Sequence, residues 1–157
     1  MTSGGASTAQ TQPQPPHDPY VTPSAAQPVR TVMTTTPIAV ASTDSLRTAA
    51  KELWSHSVGI VLVGEPAQPV GILSERDIVA ALAHGADPDI TTASQAMTTS
   101  VVSAHADDRV FDVALQMLDD AVRHMPVADD DRVIGVVSLR DLVRPLVLDA
   151  LTPPPQS

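Results

Sequence analysis

The chain has 157 residues, nine Lys and Arg against 18 Asp and Glu, and a net charge of −9. Phosphate-backbone recognition needs clustered cations, so a general nucleic-acid binder is disfavoured. With no cysteine there is no disulfide, thiol nucleophile or Cys-based zinc site, which fits a reducing cytoplasm.

No run of 18 apolar residues is present, so no membrane span is expected. The N-terminus lacks the basic-then-apolar pattern of a signal peptide. Only Tyr20, Trp54 and Phe111 are aromatic, so Val, Ile, Leu, Ala and Met must build the core.

Residues 1–28 are Thr, Gln, Ser, Ala and Gly with six prolines. Such a stretch buries too little apolar surface to offset its ordering entropy, and it is expected to be a disordered tail. Ile38-Ala39-Val40 reads as a short strand. Thr43 or Asp44 supplies a helix N-cap. Leu46, Ala49, Ala50, Leu53 and Trp54 then recur at the spacing of an amphipathic helix. Val58–Val63 is β-branched and reads as a strand. A Gly-Pro turn leads to a second strand, Val70–Ser74, and a helix from Glu75 to about Ala83.

Residues 84–94 read as a linker with turn chemistry at Asp87-Pro88-Asp89. The same order follows again. Val110, Val113, Ala114, Met117 and Leu118 form a second stripe. Met125–Ala128 is a strand, Asp129-Asp130-Asp131 a hairpin turn, and Val133–Ser138 a strand. A helix runs from Leu139 to about Leu148, where Pro145 should kink or end it. Residues 149–157 are expected to be disordered.

The two copies align without a gap at an offset of 64 residues, from Met33 to Val79. Met33-Thr34-Thr35 meets Met97-Thr98-Thr99, and Gly71-Ile-Leu-Ser-Glu-Arg-Asp77 meets Gly135-Val-Val-Ser-Leu-Arg-Asp141. A repeat at fixed offset decides architecture ahead of local propensity. The expected fold is α/β (α+β): two β-α-β-β-α halves, residues 29–83 and 95–148, packed as a pseudo-twofold pair. Leu46, Leu53, Val113 and Met117 should be buried.

Val32-Met33-Thr34, Ala96-Met97-Thr98, His124-Met125-Pro126-Val127 and the doubled Gly-x-x-Ser-x-Arg-Asp turns resemble a tandem pair of cystathionine-β-synthase (CBS) domains, the Bateman module. The resemblance covers about residues 30–148. It implies two clefts between the halves, a disc-shaped homodimer, and a regulatory adenosyl ligand such as AMP, ADP, ATP or S-adenosylmethionine, with no obligatory cofactor. In one cleft Ser74 would approach a phosphate and Asp77 a ribose diol; Ser138 and Asp141 would do so in the other.

Ser74 and Ser138 each stand where a strand turns into a helix, and free N–H groups at a helix start suit an anion. Ser-x-x-Asp is equally a capping box that only starts a helix. Arg76 and Arg140 suit a phosphate by their forked geometry, or a salt bridge to a neighbouring carboxylate. Arg123 and His124 precede the Met125-Pro126 strand, where the resemblance places a phosphate beside the basic residues and the adenine edge along the backbone. The first copy has Gly59-Ile60 there instead, so the second cleft is the stronger candidate.

Thr36-Pro37-Ile38 and Ser100-Val101-Val102 would wall the two adenine pockets, or serve only as packing. The five histidines lack metal-ligand spacing, and no catalytic constellation stands out. The expected protein is not an enzyme. It is a ligand sensor acting on an unidentified protein target, or alternatively a ligand-free homodimeric interaction module.

Overall fold

The computed structural model describes residues 23–151. The first half holds β1 (Ala39–Val40), α2 (Leu46–His56), β2 (Ile60–Glu65), β3 (Gln68–Ser74) and α3 (Glu75–Ala83), after a short α1 (Pro23–Ala26). The second holds β4 (Ala104–His105), α5 (Val110–Asp119), β5 (His124–Asp129), β6 (Arg132–Ser138) and α6 (Leu139–Leu151), after a short α4 (Ala93–Ala96). Each half has a three-stranded sheet, β1-β2-β3 or β4-β5-β6, with a parallel first pair and an antiparallel second pair. Registers match at the 64-residue offset: Ile60 opposes Ser74 as His124 opposes Ser138. The acidic hairpin turn is present, with Asp130 in the left-handed region at φ 50°.

Each sheet is two-faced. Val61 and Val63 join Leu46, Ala49, Leu53 and Leu73 in the first core. Met125, Val127 and Val137 join Val110, Val113 and Met117 in the second. Alternation sends Ile60 and Leu62 to the other face. They are buried without belonging to either core, because the halves pack sheet to sheet there.

The cores are closed by exchange. Thr34 bridges Val136 of β6, and Thr98 bridges Ile72 of β3. Pro28 bridges Arg109, and Ser45 bridges Thr92. A shift of 64 turns each pair into the other, as a pseudo-twofold requires. Val29, fully buried, belongs to the second core, and Ala93, also fully buried, to the first. Gly71 and Gly135 lie under these crossings. A Cβ on either would fall 2.7 Å from the crossing methionine sulfur and 2.7 Å from a backbone carbonyl oxygen. That close approach is why glycine opens each Gly-x-x-Ser-x-Arg-Asp turn.

Several expectations need correction. The tail does not reach residue 28, since α1 packs against α5 and α6 and Ala25 is buried; residues 1–22 lie outside the described residues. Part of the 84–94 linker is structural, because Ala93 begins α4 and fills the first core. The N-cap of α2 is Ser45, whose hydroxyl accepts the Thr48 N–H at 3.2 Å, while Asp44 accepts the Ala41 N–H. Helix α6 continues past Pro145 to Leu151, held beyond the proline by Leu146 against the second core. The C-terminal boundary thus moves from 148 to 151, and 152–157 lie outside the described residues.

Candidate functional site

Both Ser-x-Arg-Asp turns form the same closed hydrogen-bond ring. The Ser74 N–H and hydroxyl donate to Asp77 Oδ2 at 2.7 and 2.6 Å, and the Asp77 N–H donates to Ser74 Oγ at 3.2 Å. Ser138 and Asp141 repeat it. The next N–H of each helix is also taken: Glu75 donates to the Gly59 carbonyl and Leu139 to the Arg123 carbonyl. The expected free anion cradle at the helix start is therefore largely consumed. Asp141 already compensates the positive helix end. What remains at the turn is an acceptor, since the bonds of Asp141 within the ring use only Oδ2.

A cavity of about 1180 Å³ opens beside Asp141. Thr36, Pro37 and Ile38 line it from the first leading segment. Ser138, Arg140 and Asp141 line it from the second half, with Arg123 and His124. Another stretch of wall runs from the end of α2 into β2, where Ser57 in the left-handed region (φ 53°) turns the chain. The crossing of leading segments is what brings 36–38 to the opposite half's Asp141 rather than to Asp77.

Arg123 and Arg140 make no ion pair among the described residues. The salt-bridge alternative for Arg140 is thus not realised, nor for Arg76. Two unneutralised guanidiniums face a cavity that also holds Glu75 and Asp141. His124 lies over Gly59: a Cβ there would come 2.1 Å from the imidazole Cε1. Burial holds the His124 pKa below its ordinary value. Glu75 and Asp141 pull it up, while Arg123 and Arg140 push it further down.

The other candidates are not gathered here. Ser74, Arg76, Asp77 and Val102 lie outside this cavity's lining. Asp77 instead borders a smaller space of about 450 Å³, walled by alanines, His84, Thr91 and Gln95 and lacking any Lys or Arg. Met125 is fully buried in the second core, and Pro126 is buried beside it on β5. Several lining residues were not among the sequence candidates, including Gly59, Glu75 and Trp54. Trp54 closes the helix's apolar stripe in sequence, yet it is 87% exposed. At about 100° per residue the stripe centres on Leu46 and Leu53, and position 54 lies roughly 80° away, at its edge. Its signal was that edge position, which Leu118 shares in the other half, also exposed.

Comparison with known proteins agrees with the doubled fold. The CBS domain profile matches residues 29–84 and 93–148. A CBS domain protein from Pyrobaculum aerophilum, solved in complex with AMP, is 27% identical, with a TM-score of 0.70 over 80% of this chain and 99% of that one. The CBS domain pair of protein MJ0100, solved with 5-methylthioadenosine and S-adenosyl-L-methionine, is 31% identical, with a TM-score of 0.69 over 81% and 99%. An uncharacterised protein of Methanopyrus kandleri is 32% identical over 98 residues, 60% of this chain and 50% of that protein. The L-aspartate semialdehyde sulfurtransferase of Methanocaldococcus jannaschii is 35% identical over 118 residues, 74% of this chain and 22% of that enzyme. The chain thus spans half or less of the length of these two relatives. With the profile matched twice at the spacing of the repeat, this chain belongs to the CBS domain family as a tandem pair.

Proposed function

We propose that this protein is a non-enzymatic regulatory module that binds a phosphorylated adenosyl ligand, AMP, ADP or ATP, in the cleft beside Asp141. The observation that carries the reading is the pairing of an Asp141 oxygen outside the capping ring with Arg123 and Arg140, both without ion pairs, around one large cavity. A carboxylate oxygen accepts from a ribose diol, and guanidinium forks suit a phosphate. The relatives solved with AMP and with S-adenosyl-L-methionine support an adenosyl class. The two arginines favour the phosphorylated member over the cationic one.

The output is a population shift toward one packing of the halves or one homodimer arrangement, read by a protein target and limited by the ligand's differential affinity. A cytoplasmic setting, where such nucleotides are found, suits this role. A second reading, a ligand-free homodimeric interaction module, draws support from the capping rings, which satisfy both Ser-x-Arg-Asp turns without any ligand.

Isothermal titration separates the two. Asp141→Asn keeps an oxygen for the cap and replaces the outer acceptor. A hydrogen bond to a charged group is worth about 1.5–3 kcal/mol, so AMP binding should weaken roughly ten- to a hundredfold. Asp77→Asn should do less. Equal losses would refute the asymmetry, and no AMP binding by the parent would select the ligand-free module.

A further inference from the structure

Trp54 is the single tryptophan of the chain, and it lies outside both cores, in the lining of the Asp141 cavity. It stands near the C-terminal end of α2, 87% exposed, and lines the cavity beside Leu53 and the stretch from His56 to Ile60. Its counterpart 64 residues on is Leu118, exposed but outside this cavity. The halves therefore differ in kind at this position: the aromatic face occurs only on the side that holds Arg123, Arg140 and Asp141. Among the described residues Phe111 is the only other aromatic, and it is not part of this wall.

From this placement we infer that Trp54 is the stacking platform for the ligand's base and sets selectivity for ligands that carry one. The inference rests on the proposed nucleotide reading. An exposed indole offers a large apolar face, and base–aromatic stacking accepts any planar heterocycle without requiring a matched hydrogen-bond pattern. Asp141 and the two arginines would hold ribose and phosphate, groups that a base-free sugar phosphate also has. Trp54 would contribute only when a base is present.

The test uses the intact chain, with AMP and ribose 5-phosphate as probes. Tryptophan emission has a single source, so it reports this site alone. AMP should change the Trp54 emission, and ribose 5-phosphate should leave it unchanged. By calorimetry, Trp54→Ala should bind AMP roughly ten- to a hundredfold more weakly and ribose 5-phosphate as the parent does, while Trp54→Phe should keep most of the AMP affinity. Circular dichroism checks that each variant folds. If the parent binds AMP but its emission is unmoved and Trp54→Ala binds equally well, the inference fails and the nucleotide reading stands. If Trp54→Ala only loses self-association in sedimentation and keeps its AMP affinity, Trp54 is a contact between copies and the inference is overturned. A parent that binds no AMP overturns both.

Discussion

His124 and Gly59 show how one residue type decides the environment of another across the interface between halves. The imidazole occupies space that any side chain at 59 would need. Burial lowers its pKa, so the native state binds a proton less readily than the unfolded chain. Between the depressed native pKa and the ordinary value of about 6.5, the unfolded state carries more protons, and stability falls as pH falls. Above that window this contribution is constant. Denaturant melts at pH 7.5 and 5.5 should therefore show less destabilisation by acid in His124→Gln than in the parent. The difference is at most about 1.4 kcal/mol per pH unit. An equal acid sensitivity in both proteins would show that His124 is not buried as described.

At the scale of elements, the repeat as read from identity is not the repeat as folded. Gln27 to Arg30 are the structural counterparts of Thr91 to Ser94: the Val29 N–H donates to the Asp108 carbonyl as the Ala93 N–H donates to Asp44, and the Val110 N–H to Gln27 as the Leu46 N–H to Thr91. These contacts are made by backbone, so they leave no trace in side-chain identity. Val29 and Ala93 agree only in being small, apolar and fully buried. Removing residues 1–32 should strip Val29 and Val32 from the second core and lower stability by several kcal/mol, since burying one valine is worth about 1.5–3 kcal/mol. Removing residues 1–22 leaves every contact described above in place. Thermal melts of the two truncations should differ clearly, and equal melting temperatures would contradict the exchange.

At the scale of the molecule, exposed apolar positions occur on both halves away from the Asp141 cavity. Val79 and Leu82 of α3 are 65% and 44% exposed, and Leu115 and Leu118 of α5 are 45% and 61% exposed. One helix of each half thus presents apolar surface outside the proposed ligand site. A monomer gains nothing from that, whereas a homodimer would bury it. Leu118→Asp with Val79→Asp should shift the chain to monomer in sedimentation equilibrium while its circular dichroism is kept. A parent that is already monomeric at high concentration would remove the homodimer from the proposal.

The sequence by itself determined the pair of β-α-β-β-α halves, the Ser-x-Arg-Asp turns and the buried stripe of Leu46, Leu53, Val113 and Met117. These are local: side-chain period selects the element, and a repeated motif selects the turn. Only the tertiary structure decided which half closes which core and which residues share the Asp141 cavity. It also decided that Trp54 faces outward and that the helix-start N–H groups are already occupied. The physical reason is that these outcomes depend on backbone bridges and on space between segments far apart in the chain. The crossing of the leading segments over Gly71 and Gly135 brings Thr36-Pro37-Ile38 to the far half, and no local pattern encodes that crossing.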